Sequence, residues 1–157
     1  MDLGEWLGAA VDSAKEIAVG PLCVASAAWR ETPGSDPPVD MYGVYLPLLC
    51  DGLRLQLGLL AERPVWAALA RAFMGMEPDE PLDSDEDVLD AIGEVANMVA
   101  GGIKVRVTDR GRVSVGLPLA LRGRVFPSAG SVSRLGILNL DERHVWLIVT
   151  GTKAQAT

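Results

Sequence analysis

"SDEDVLDAIGEVANMVAGGIKVRV", residues 84–107, opens with polar residues, turns apolar, and carries Glu94 and Asn97 three apart in its middle. Ser84 suits an N-cap, and Asp85, Glu86 and Asp87 suit the positive end of a helix dipole. Gly101-Gly102 is expected to end or loosen the helix. On a wheel of ~100° per residue, Val88, Ile92, Val95, Val99 and Ile103 share one face. Asp90, Glu94, Asn97 and Gly101 share the opposite face. Asn is a poor residue for a helix interior, because its side chain competes for backbone hydrogen bonds. The spacing makes Glu94 and Asn97 neighbours on an exposed stripe, since side chains three apart meet on a helix surface. Met98 and Ala100 flank Gly101, which leaves the C-terminal part of the stripe flat enough for another protein to approach.

Outward from this helix, the sequence predicts an α+β chain. Residues 3–17 have the apolar spacing of an amphipathic helix that Gly20-Pro21 closes. Residues 22–29 read as a strand, and 31–40, "ETPGSDPPVD", as a mobile loop. Tyr42–Cys50 and Leu53–Ala61 read as a hairpin around Asp51-Gly52, a type I′ signal. Pro64 opens a short helix reaching about Gly75, and 77–83 is an acidic loop. Beyond the long helix, Lys104–Asp109 and Val113–Leu121 are expected to form a second hairpin around Arg110-Gly111. A loop rich in Ser and Gly, then strands near 135–140 and 144–150, and a frayed tail, "GTKAQAT", complete the chain. The expectation is one domain over 1–157, with an antiparallel sheet of about six strands and the long helices on one face.

An internal echo suggests two similar halves. "LPLLCDG", 46–52, matches "LPLALRG", 117–123. "GEWLGAA", 4–10, matches "GEVANMV", 93–99. The echo has one gap: Glu5 is followed three residues on by Gly8, where Glu94 is followed by Asn97.

Composition narrows the function. The net charge of −7 argues against a nucleic-acid partner, which needs clustered Lys and Arg. Hydrophobic residues make up 49% and mean hydropathy is +0.24. No run approaches the ~18 apolar residues of a membrane span, so the surplus belongs in buried strands or a dimer interface. The acidic N-terminus does not read as a signal peptide. Cys23 and Cys50 lack ligand spacing and read as buried free thiols of a cytosolic protein. His144, the single histidine, stands at an expected turn-to-strand junction. It cannot build a metal site or, with Ser13, Ser26, Ser114, Ser128, Ser131 or Ser133, a hydrolase triad.

A lone Glu-x-x-Asn is common and carries little by itself. In context, "DAIGEVANMVAGGIK", 90–104, resembles the Glu-x-x-Asn-x-x-x-Gly signature of the CheC/CheX/FliY chemotaxis phosphatases, and the single intact motif is most similar to the CheX branch. Chain length, the N-terminal helix, the hairpin and the acidic linker resemble a CheX-like domain over nearly the whole chain. Gly102, the 31–40 insertion and the loop from Arg124 to Arg134 depart from the pattern. The resemblance implies a cytoplasmic, homodimeric phosphatase acting on the aspartyl phosphate of a CheY-type response regulator. It implies Asn97 as the residue that orients the attacking water and Glu94 as the docking carboxylate. Asp90, Met98 and Gly101 are the expected docking surface. It implies no cofactor in this chain, the Mg2+ belonging to the receiver. The competing expectation is a non-catalytic module that binds a receiver or scaffolds a chemotaxis or flagellar complex.

Overall fold

In a computed structural model, described for residues 2–123 and 129–152, helix α1 spans Leu3–Val19 and strand β1 Ala27–Glu31. Strands β2 (Tyr42–Cys50) and β3 (Leu53–Ala61) precede helices α2 (Arg63–Phe73) and α3 (Asp85–Arg106). A short 3-10 turn, β4 (Val113–Val115), β5 (Leu119–Arg122), β6 (Ser131–Leu140) and β7 (Arg143–Thr152) follow. All seven strands join one antiparallel sheet in the order β1-β6-β7-β3-β2, with β4 and β5 both paired to β2 beyond it.

That order carries the two-halves expectation. Exchanging β1, β2 and β3 with β5, β6 and β7 turns the order onto itself, with the pseudo-axis between β3 and β7. Helices α1 and α3 are then equivalents, so the Gly-Glu echo is in register. The Leu-Pro-Leu echo is not: 46–50 lies in β2, whose equivalent is β6, while 117–123 runs into β5. Instead, Leu119–Arg122 pairs with Tyr42–Tyr45, just before the first Leu-Pro-Leu, and Leu48–Cys50 pairs with Val113–Val115, just before the second.

Alternation sorts the strands between two faces. Val44, Leu46, Leu48, Leu55, Leu57, Leu59, Leu138, Leu140, Val145, Leu147 and Val149 form one core with the apolar faces of all three helices. Met41, Tyr45, Leu60 and Trp146 form a smaller cluster on the opposite face, with Leu121, Leu135, Ile137 and Ile148 packed around it. The wheel of α3 holds: Val88, Ile92, Val95, Val99 and Ile103 are buried, and Asp90, Glu94 and Gly101 are exposed. The Asp51-Gly52 turn has φ of 46° and 85°, the double left-handed geometry of type I′.

Several expectations fail. Lys104–Asp109 is not a strand: α3 runs through Gly101-Gly102 to Arg106. Ile103 and Val107 extend its buried stripe, and Lys104 and Arg106 suit the negative end of the dipole. The supposed second hairpin is therefore absent, and 113–121 is split at Gly116–Pro118 into β4 and β5. Strand β1 begins at Ala27 rather than 22, and Cys23 is exposed, with φ of 54°, in the connection before it. Cys50 is buried as expected, and burial, reinforced by Asp51, pushes its thiol pKa up. Of the expected loop at 124–134, residues 124–128 lie outside the described residues and Ser131–Arg134 belong to β6, which starts before the expected 135. Of the expected frayed tail at 151–157, Gly151 and Thr152 belong to β7 and 153–157 lie outside the described residues.

The β6–β7 turn, at Asp141-Glu142, ties the far edge of the sheet to the chain after α1. The Asp141 carboxylate accepts from Ala25 N (2.7 Å), Ser26 N (2.8 Å) and Ser26 Oγ (3.1 Å). These backbone donors, Ala25 first, hold its pKa below the ordinary aspartate range. A carboxylate depressed in the fold adds stability above its unfolded pKa and loses it as pH falls through the folded value. Asp141→Asn tolerates the φ of 48° while removing the charge. It is expected to lower Tm at pH 7, with the gap to wild type closing below about pH 4. Thermal melts across that range check this, and a gap that does not narrow would assign the loss to shape rather than charge.

Candidate active site

Two contacts fix where α3 sits. The Ser13 hydroxyl, buried on α1, donates to Val99 O at 2.8 Å. Arg63, the first residue of α2, donates through Nε to Asp85 Oδ1 at 2.7 Å, in the first turn of α3. Gly102 faces the first of these contacts: a Cβ there would overlap the Ser13 hydroxyl and stand 2.8 Å from Ser13 Cβ. Gly102 therefore serves the packing of α1 on α3 and does not belong to the exposed stripe.

The solvent side of α3 borders an open groove of about 480 Å³. Asp87, Asp90, Gly93, Glu94 and Asn97 line it from α3, Phe73 and Met74 from the end of α2, and Pro118 and Ala120 from β5 and the turn before it. Asp87, Asp90, Glu94 and Asn97 follow the spacing i, i+3, i+7, i+10 of one helical stripe. Asn97 is half-buried and Glu94 exposed. Among the described residues, neither side chain has a hydrogen-bond or ion-pair partner, and no group of His, Cys, Asp and Glu could hold a metal ion. No helix among the described residues is long and apolar enough to cross a membrane.

The groove thus gathers Glu94, Asn97 and Asp90. Met98 is half-buried and Gly101 exposed, and both lie outside its lining. Asp87 was legible only as a dipole partner, although its place three before Asp90 puts it on the same stripe. Phe73, Met74, Pro118 and Ala120 arrive through the tertiary fold, and no local pattern announces them. His144 is exposed at the second residue of β7.

An amide and a carboxylate one turn apart, free of internal partners and beside a groove, can act on a group that another molecule brings. The amide offers both an acceptor and two donors. A family model described as chemotaxis phosphatase CheX matches residues 49–134, more than half of the 157-residue chain and all of α3. The chain belongs to the CheX family. Its fold is that of solved CheX structures. The CheX-CheY-BeF3-Mg2+ complex from Borrelia burgdorferi matches with a TM-score of 0.79 at 15% identity, over 94% of this chain and 98% of that one. Chemotaxis protein CheX from Vibrio vulnificus gives 0.75 at 12%, over 96% and 99%. FliY from Thermotoga maritima gives 0.61 at 17%, over 92% and 84%. No curated protein matches the sequence. At these identities the structural likeness shows a shared fold, and this CheX-family chain keeps that fold with little shared sequence.

Proposed function

We propose that this protein hydrolyses the aspartyl phosphate of a CheY-type receiver domain, with Asn97 orienting the attacking water and Glu94 docking the receiver. The observation that carries the reading is the placement of Glu94 and Asn97, adjacent and unengaged, on the rim of the groove. Membership of a chemotaxis phosphatase family and the Borrelia burgdorferi CheX held with CheY, BeF3 and Mg2+ support the substrate class.

Hydrolysis of an acyl phosphate needs no nucleophile from this chain. Water oxygen bonds to phosphorus, the bond from phosphorus to the aspartyl oxygen breaks, and the carboxylate leaves with the bonding pair. The water's proton ends on the released phosphate. Such transfers depend on positioning and on neutralising charge around the phosphoryl group. The Asn97 carbonyl accepts from the water and aims it in line, while its NH2 donates to a phosphoryl oxygen. Glu94, one turn earlier, pairs with the receiver's active-site Lys and sets the register. The divalent cation enters with the receiver. The same reading places the protein in the cytoplasm as a homodimer whose Asp90, Met98 and Gly101 surround the docked receiver.

The test follows the decay of a phosphorylated CheY-type receiver from the same genome, with and without the protein. Substoichiometric protein is expected to accelerate decay with turnover; unchanged decay would leave a non-catalytic binding role. Glu94→Gln is expected to raise KM about tenfold, the loss of roughly 1.4 kcal/mol of charge-assisted hydrogen bonding, and to leave kcat within about threefold. A fall in kcat at unchanged KM would move Glu94 from docking into the chemical step.

A further inference from the structure

A glycine inside a helix is costly and survives where a close contact needs the space. Gly102 meets that condition against Ser13. Gly93 does not: a Cβ there would lie 3.7 Å from Pro118 Cγ, an ordinary van der Waals contact, with no other neighbour inside 4 Å. Gly93 is buried in the middle of α3 and lines the groove, yet a single added methyl would meet no clash there. A side chain at 93 would grow across the groove toward Pro118. A glycine at 93 therefore keeps the groove open between α3 and Pro118.

The lining says what fits. Phe73, Met74, Leu89, Pro118 and Ala120 give it apolar walls, and Leu117 and Leu119, on either side of Pro118, are 87% and 58% exposed. Among the described residues, its charged members are Asp87, Asp90 and Glu94, with no Lys or Arg. An anionic partner surface would be repelled, and a purely apolar one would strand the carboxylates' charge. We propose that the groove receives an apolar side chain of the receiver flanked by Lys or Arg, that Gly93 keeps the space open for it, and that Asp87 and Asp90 select the flanking cations. This rests on the receiver reading above and adds the chemistry of the docking segment. Rim charges act on encounter and on salt dependence, while the seated apolar group resists dissociation.

The probe is the unphosphorylated receiver loaded with Mg2+ and BeF3, titrated calorimetrically into the full chain. Gly93→Leu is expected to weaken binding by roughly thirtyfold or more, and Gly93→Ala by less than about threefold, because the Cβ alone is accommodated. The Asp87→Asn/Asp90→Asn pair is expected to weaken binding about tenfold at low salt and to flatten its salt dependence. Wild-type affinity in a folded Gly93→Leu variant overturns the groove as the docking site. Should that variant not fold, unchanged affinity and salt slope in the double Asn variant overturn the proposal instead. Absence of binding by the wild type also overturns it. Tight binding without hydrolysis would sink the phosphatase reading and leave the docking inference standing, whereas hydrolysis unaffected by any of these variants would do the reverse.

Discussion

Asn97→Ala is expected to remove the proposed phosphatase activity while leaving the protein as stable as the wild type, or slightly more so. The expected loss in kcat is on the order of 10²–10³, the cost of deleting one preorganised hydrogen-bonding group at a reacting centre. Stability moves the other way, because alanine is the better helix former by roughly half a kcal/mol and the Asn97 side chain has no partner among the described residues. The two readouts are kcat for the phospho-receiver and a thermal melt. Asn97→Asp sharpens the result: it keeps the shape, exchanges the NH2 donor for an anionic oxygen, and would set a negative charge against the phosphoryl group. Both variants should be inactive and folded. An active Asn97→Asp would mean that only the acceptor matters, and an unfolded Asn97→Ala would make the residue structural.

Gly102→Ala is the substitution with the largest expected cost to stability. Ordinarily such a change in a helix gains about 1 kcal/mol. At 102 the new methyl would overlap the Ser13 hydroxyl, forcing α1 away from α3 and breaking the Ser13 bond to Val99 O. Overpacking costs about 1–3 kcal/mol, and a buried hydroxyl left unpaired costs about 1–3 more, so the loss outweighs the gain. A net loss of roughly 2 kcal/mol should lower Tm by roughly 4–8 °C in a chain of this size. Gly101→Ala, with nothing within 4 Å of its Cβ, is the matched control and should be neutral or stabilising. The swap Ser13→Gly/Gly102→Ala should recover most of the loss, because the clash belongs to the pair. Failure to recover would show that the α1–α3 spacing is set elsewhere.

The neighbouring glycines mark where sequence reading ended. Side-chain spacing was enough to place Val88, Ile92, Val95, Val99 and Ile103 in the core and Glu94 and Asn97 outside it, because a helix sorts its faces by a fixed rotation. Gly101-Gly102 read as a helix end because glycine is the usual residue there. The partner that makes Gly102 worth keeping, Ser13, is 89 positions away, and only the packed pair explains why the helix continues. The groove shows the same limit. Its stripe on α3 is a local pattern, but Met74 and Pro118 reach it from different parts of the chain. The Leu-Pro-Leu echo was a real similarity between segments of β2 and of the approach to β5, strands that are neighbours in the sheet and not equivalents in the repeat. The two-halves reading rests instead on strand order and on α1 opposite α3.

That symmetry has a consequence for how the chain tolerates change. The two halves have the same topology, but Glu5 and Glu94 are not interchangeable. Glu5 stands in the first turn of α1, where its carboxylate accepts the Asp2 N–H at 3.2 Å. Glu94 stands ten residues into α3, lifted clear of its helix end by the acidic turn that precedes it. Gly8→Asn would spell the motif on the first half and still yield no second centre, since its glutamate is already committed to closing the helix. On the proposed function, one half anchors and the other engages. Drift along the chain is then expected to be unequal: the exposed side of α1 can vary at little cost to activity, whereas the matching side of α3 cannot.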